Sequence, residues 1–279
     1  MISRVSGAII RAMLVVLLIA TPSILLPGVS PDGKQIVALV AIFGAALTIF
    51  EYASSYPGLI EFRDAPPFNR IRFFSLFSTV FLLSLISRGT VESTALTQFV
   101  QAVGALIAYA IDFPYSPVRL VVLMLPEGTA PAHIALVRIT AGMAYLISLV
   151  TLAIFMIVLR VWRWPTANGS FNVWVNLPTF DPTAGKDVVQ RLEMDARFNI
   201  ALGFLLPFLT PAVVKSASSL FGSVSLENPQ TLIWTVSAWA FLPASLFMRG
   251  IAMGRVAEMI AAKRKQNYAK AEEGGVYVT

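Results

Sequence analysis

The chain of 279 residues is 57% hydrophobic and only 13% charged, with a mean hydropathy of +0.74. Soluble domains carry roughly 25% charged residues, so this composition excludes an ordinary water-soluble core and points to a membrane. Basic residues exceed acidic ones by six, a surplus that in a membrane protein belongs in cytoplasmic loops facing anionic headgroups. No basic run is interleaved with stacking aromatics, so nucleic acid is not an expected partner. Cysteine is absent and His133 is the only histidine. That removes disulfides, thiolate nucleophiles, iron–sulfur clusters and His-pair sites for haem, copper or zinc, and no cofactor is expected.

A spanning helix needs about 20 mostly apolar residues, each rising about 1.5 Å. Six segments meet or approach that length: Ile10 to Leu26, Gln35 to Ala53, Ile71 to Ser87, Ala135 to Leu159, Phe198 to Val214 and Leu232 to Met253. The first has Arg4 and Arg11 ahead of its apolar run, as a signal peptide does. No small-x-small cleavage pattern follows Ala20, and Ile24, Leu25 and Leu26 prolong the run, so it reads as a retained helix, kinked by Pro22.

Charge sets the parity. Arg4 and Arg11; Arg63, Arg70 and Arg72; Arg160, Arg163, Lys186, Arg191 and Arg197; and Arg255, Lys263, Arg264, Lys265 and Lys270 form four basic clusters at alternate connections. The positive-inside rule places all four in the cytoplasm, together with both termini, in a bacterial inner membrane. A lone seventh span at Thr94 to Ile111 would export the last two clusters. Residues 88–131 are therefore expected outside, with Thr94 to Ile111 lying on the surface or re-entering with Val118 to Leu125.

That segment repeats Thr94, Thr97, Gln98, Gln101, Ala105, Ala108 and Asp112 on one face and Leu96, Phe99, Val100, Val103, Leu106, Ile107 and Ile111 on the other. The alternative is a seventh span with a small-residue packing face and a partner span near Val118. The loop 163–197 should hold a turn at Asn168-Gly169-Ser170, a weak strand from Phe171 to Leu177 and an amphipathic helix from Lys186 to Arg197. A basic extension, 254–279, closes what reads as one all-α integral membrane domain, 1–279, with no internal repeat.

Ionisable residues inside hydrocarbon are the best default pointers to function. Here Glu51, Arg138, Lys215 and Arg249 all fall near helix ends, where the three cations can snorkel. The densest stretch runs from Glu51-Tyr52 through Glu61-Phe62-Arg63-Asp64 to Phe68-Asn69-Arg70-Ile71-Arg72. It reads either as a docking surface whose Arg63, Arg70 or Arg72 meet carboxylates or lipid phosphates, or as a self-satisfied loop. In the second reading Glu61 and Asp64 pair with those arginines while Phe62 and Phe68 anchor at the headgroups. Lys263, Arg264 and Lys265 are a second candidate contact with a partner or lipid.

Pro207 and Pro211 break the fifth segment near Lys215, as in helices that gate transporters. Gly250 and Gly254, and more weakly Ala41 and Ala45, permit close helix approach within the chain or in a homo-oligomer. Trp162 and Trp164 look like an interfacial belt.

Gly185-Lys186 lacks the spacing of a phosphate loop, and Asp181, Asp187, Glu193 and Asp195 read as a solvated face. Asp112, Glu127 and His133 make the only acid–base grouping available to an enzyme acting on lipid-linked substrates. The function expected is a non-catalytic membrane subunit, scaffold or assembly factor that binds a protein partner, a second copy or anionic lipid. A small-solute or amphiphile transporter is the alternative.

Because no native cysteine competes, single cysteines at Ser93 and Ser116 test the topology. Labelling from the external face is expected, and labelling of either from the cytoplasm overturns the placement.

Overall fold

Where water is excluded, backbone polar groups must be paired within their own segment, and the chain meets that demand with helices. In this computed structural model the residues described are 2–165, 171–183, 185, 187–221 and 226–273, and among them are nine α-helices and no strand. They are α1 Ile2–Leu25, α2 Pro31–Ala53, α3 Phe68–Arg88, α4 Ala95–Ile111, α5 Pro117–Leu123, α6 Pro131–Val161, α7 Val173–Asn176, α8 Val188–Phe221 and α9 Pro229–Glu273. Six of them, α1, α2, α3, α6, α8 and α9, are long and apolar enough to cross a membrane.

Helix starts follow local chemistry. The Ser30 hydroxyl accepts the Gly33 N–H at 3.1 Å ahead of Pro31, and Thr94 and Thr97 form a reciprocal capping box. Asp187 accepts the Val189 and Gln190 N–H groups at 2.9 and 3.2 Å. With no proline or glycine between Asp187 and Gly203 to interrupt it, the expected amphipathic helix and the span after it are one continuous helix, α8. Likewise α9 continues past Met253 to Glu273. The expected strand from Phe171 to Leu177 is instead the short helix α7, started by the Asn172 side chain. The turn expected at 168–170, Lys186, and residues 274–279 of the basic extension lie outside the described residues.

The loops bearing Arg63, Trp164 and Asp187 gather at one end of the bundle, the basic end; the connections around 26–30 and 89–130 lie at the far end. At 17 and seven residues, α4 and α5 are shorter than the six long helices. Thr97, Gly104 and Ala108 of α4 are buried against α3 and α6, with Gly142 of α6 close to the Ala108 backbone, while Leu96, Phe99 and Leu106 are exposed. The buried stripe draws on both expected faces, with Thr97 and Ala108 from one and Val100 from the other, while Gln98 and Ala105 are exposed, so neither face turns inward as a whole. Lys215 of α8 donates to the Leu123 carbonyl at 2.6 Å, closing the end of α5. Of the two probe positions, Ser93 is exposed, whereas Ser116 is the buried cap of α5, so only Ser93 can report.

Two buried clusters form the core. Val80, Leu83, Ile86, Val137 and Ile233 fill the far half, and Phe62, Phe68, Phe155, Leu192 and Met253 fill the basic end. The most extensive pairing is that of α8 with α9, and small residues set its distance. A Cβ on Gly250 would lie 2.6 Å from the Ala196 carbonyl oxygen, and one on Gly203 would lie 2.7 Å from the Phe247 nitrogen. A Cβ on Gly254 would meet only the Ala196 methyl, at 3.8 Å. Pro211 cannot donate to the Pro207 carbonyl four residues back, and the Trp239 indole N–H of α9 takes that carbonyl at 3.1 Å. The proline pair therefore fastens α8 to α9.

Gly250→Ala is expected to lower thermal stability in detergent by roughly 1–3 kcal/mol through overpacking, while Gly254→Ala leaves the unfolding midpoint unchanged. Equal effects at both positions would contradict this packing.

Candidate functional site: an arginine-lined cavity between α1 and α9

The connection from α2 to α3 is folded around two buried charges. The Glu51 carboxylate, at the end of α2, accepts backbone N–H groups from Gly58, Leu59 and Ile60 at 2.9–3.2 Å. Arg63 donates to the Glu51 and Ser54 carbonyls at 2.8 and 2.6 Å, closing the end of α2, and its other edge forms a two-point pair with Asp64. Its side chain is 3% exposed. Of the three arginines expected to dock a partner or lipid, Arg63 is thereby committed to the chain itself.

Between these charges Phe62 takes a φ of +52°, a region bulky residues rarely adopt. It is held there by its N–H bond to the Asn176 carbonyl at 2.6 Å and by rings of Phe68 and Trp164 at 4.5 and 5.8 Å. The Asn176 side-chain oxygen also accepts the Asp64 N–H at 3.0 Å, so α7 clamps the loop from outside. Phe62 and Phe68 are core residues, not headgroup anchors. Of the expected tryptophan belt, Trp162 is exposed, but Trp164 is buried against Phe62.

This framework carries Glu61 across to α9. Arg249 grips its carboxylate at two points, 2.6 and 2.8 Å, and Thr179 donates a third bond at 2.7 Å. Arg249, placed by the sequence as a snorkelling cation, is an internal partner instead. Burial raises the Glu61 carboxyl, but the hydrogen bonds from Arg249 and Thr179 and the charges of Arg249 and Arg72 outweigh it, leaving it below the ordinary glutamate value.

Arg72, one turn into α3, is the second guanidinium near this carboxylate, and among the described residues it forms no ion pair. Its Nε is fully buried without a hydrogen-bond partner; its one side-chain bond is a long 3.4 Å contact to Asn69, and its guanidinium faces the rings of Phe68 and Phe241 at 5.3 and 5.8 Å. Arg11 of α1 lies over the Tyr52 ring at 4.5 Å, donates to the Gly7 carbonyl at 2.8 Å and also hydrogen-bonds the Tyr52 side chain. Arg70 is exposed at the start of α3, a helix without a side-chain cap.

These side chains surround a cavity of about 1050 Å³. One wall is α1, from Gly7 to Leu18; the opposite wall is Phe241 to Arg249 of α9, with Leu206 of α8; the floor is α3 and the loop before it. Helix α1 packs on α2 and α3 and barely touches α9, which leaves the gap. The arginines sit toward the basic end. Leu14, Leu18, Leu76 and Leu206 continue the lining toward mid-bundle, and the rims carry exposed Ile10, Leu14 and Leu242, so the mouth faces sideways.

Other candidates are dispersed. Asp112 lies between Arg119 and Arg138 at 2.5 and 2.8 Å, and no hydrogen bond joins it to Glu127 or His133. Asp187 pairs with Arg264, and Glu193 lies near Arg197. Among the described residues no three His, Cys, Asp or Glu side chains converge as a metal site. Lys263 and Lys265 are exposed on the far extension of α9. Arg11 and Arg72 were legible as members of basic clusters and Arg249 as a helix-end cation; the cavity was not, because nothing in local spacing announces that the three share one space.

Comparison with protein-family models, with curated proteins and with solved structures finds no match. The reading of the site therefore rests on its geometry.

The lowered Glu61 carboxyl contributes stability that is fully present above the ordinary value of 4.5 and is lost as pH falls through the lowered one. Glu61→Gln is expected to cost roughly 1.5–3 kcal/mol at neutral pH, the worth of a charged hydrogen-bond set, and to flatten the acid limb of the stability profile. Thermal unfolding against pH checks both; an unchanged acid limb would refute the latch.

Proposed function

We propose that this chain is a non-catalytic multi-pass protein of a bacterial inner membrane that holds an anionic amphiphile in the α1–α9 cavity. In this reading both termini and the basic end are cytoplasmic, the arginines lie at inner-leaflet headgroup depth, and the apolar lining receives the chains through the lateral mouth. The single observation that carries the reading is Arg72. A guanidinium whose one side-chain bond is a long contact to Asn69, on the wall of an open cavity that continues apolar past Leu14 and Leu76, calls for an acceptor, and an anionic headgroup provides one with the bidentate geometry arginine favours.

Holding is favoured over passage. The far half of the bundle is filled by Val80, Leu83 and Ile86, and the proline pair of α8 is bonded to Trp239, so the lining ends near mid-bundle. Retention of a lipid suits a subunit or scaffold, for which Lys263 and Lys265 on the protruding α8–α9 hairpin offer a contact to a protein partner or to neighbouring headgroups. A homo-oligomer built on Gly250 is disfavoured, because α8 already occupies that face.

Purified in mild detergent and analysed by lipid extraction and mass spectrometry, the protein should retain anionic lipid in about stoichiometric amount. Arg72→Gln, which removes a charged hydrogen-bond donor set, should weaken retention about tenfold or more, and Leu14→Trp should block the mouth. Retention of anionic lipid undiminished in both variants would defeat the proposal.

A further inference from the structure

We infer that the hairpin of α1 and α2 is a swinging wall, turning about a diagonal so that the basic half of α1 moves toward and away from α9, and that an amphiphile in the cavity holds it open. The second part rests on the reading of the cavity as an amphiphile site. The hairpin is internally stiff. Gly44 lets α2 close on α1, since a Cβ there would lie 3.0 and 3.3 Å from the Ile19 and Val15 side chains. Nearer the basic end Arg11 stacks on the Tyr52 ring and hydrogen-bonds that side chain. Toward the rest of the bundle the hairpin is loosely docked: α2 packs extensively on α1 alone, and α1 packs less fully on α3 and hardly on α9.

Two fastenings set the diagonal. At the basic end it is α2 that is bolted, because Glu51 accepts the Gly58, Leu59 and Ile60 N–H groups and Arg63 holds the Glu51 and Ser54 carbonyls, in the loop that Glu61 ties to Arg249 of α9. At the far end it is α1 that is held. The Gln230 amide donates to the Ser23 hydroxyl at 2.8 Å, and Leu18 and Leu26 lie in the core cluster with Leu226 and Leu232. The basic half of α1 stands off this line, with Val5, Ile9, Ile10 and Met13 exposed. Packed helices lie about 8–10 Å apart, so a modest turn carries that edge roughly 3–5 Å.

The surfaces that would meet already face each other. Gly7, Leu14 and Leu18 of α1 and Leu242, Leu246 and Arg249 of α9 recur at helical spacing on opposite sides of the gap. Apolar walls with nothing between them forfeit dispersion contacts, which draws the hairpin inward when the cavity is empty. Lipid covers the outer faces of α1 and α2 equally well in either position, so no hydrophobic cost opposes the turn. Chains lodged between Leu14 and Leu246 restore the contacts and prop the wall.

Because the chain has no cysteine, pairs of spin labels can be placed on the full chain in detergent and their separations read by double electron–electron resonance. Three pairs at exposed positions are diagnostic: Ile9→Cys with Glu258→Cys across the gap, Tyr56→Cys with Glu258→Cys at the basic fastening, and Ile24→Cys with Thr231→Cys at the far one. In lipid-stripped protein the first pair should show the broadest distribution, extending roughly 3–5 Å below its long limit. Added phosphatidylglycerol should narrow it to that limit, while the other two pairs stay narrow and unchanged. Mass spectrometry of the same samples counts the lipid retained.

A first pair as narrow as the other two in the stripped protein would overturn the swinging wall. Equal broadening of all three would overturn it as well, since the fastenings would not be pivots. If phosphatidylglycerol is retained while the first pair stays broad, the occupant does not hold the wall, and the second part falls with the amphiphile site left standing. If none is retained, the amphiphile site itself is wrong, and the breadth of the first pair alone decides the wall.

Discussion

Two guanidinium groups, Arg72 and Arg249, share one carboxylate in a setting poor in water. The geometry resolves the competition for Glu61 unequally, because Arg249 lies flat against both oxygens while Arg72 reaches only ring faces and the Asn69 amide oxygen. An unpaired charge near hydrocarbon is costly to keep, and the fold does not relieve it by turning Arg72 out to solvent. Much of the basic end exists to keep this arrangement. Asn69 donates to the Glu61 carbonyl, Thr179 to its carboxylate, and Asn176 ties the loop on either side of Arg63.

The cavity itself follows from uneven helix packing. Gly203 and Gly250 bring α8 and α9 to backbone contact, with the Trp239–Pro207 bond pinning the same pair farther along. Helix α9 is thus drawn toward α8. On its other side α1 is held by α2 and α3, with Gly44 of α2 closely facing Ile19 and Val15. No comparable small-residue seam joins α1 to α9, so the two hairpins diverge at the basic end. At the far end they meet through Gln230 and Ser23. A wedge open at one end and closed at the other is the result.

The helices were legible in the sequence because crossing hydrocarbon imposes one rule on every long segment. Five of the six expected segments lie inside the long helices, and the first overruns α1 by one residue, Leu26. The boundaries strayed where hydropathy falls but helicity does not, as from Val188 to Arg197, where no glycine or proline interrupts, and beyond Met253, where Gly254 is followed by a polar stretch free of both as far as Glu273. Phe171 to Leu177 misled through an alternating pattern too short to separate strand from helix. In α4 residue type separated two faces, but packing buried Thr97 and Ala108 from one and Val100 from the other.

The candidate site was half visible for a different reason. Hydropathy reports how far along a helix a charge lies, and by that measure Arg249 sits near an end where snorkelling accounts for it, and Arg11 in a basic cluster ahead of the first span. It says nothing of azimuth, and azimuth decides whether such a side chain meets headgroups, a carboxylate or another guanidinium. Glu61 and Arg249 are 188 residues apart, and Asp64 and Asn176 are 112 apart; no local pattern ties either pair. One signal was available: the loop from Glu51 to Arg72 holds more charge and aromatic surface than a connector between two spans requires. Such density near a membrane surface implies that part of the charge is committed inward, and the portion left without an internal partner marks where a ligand can compete for it.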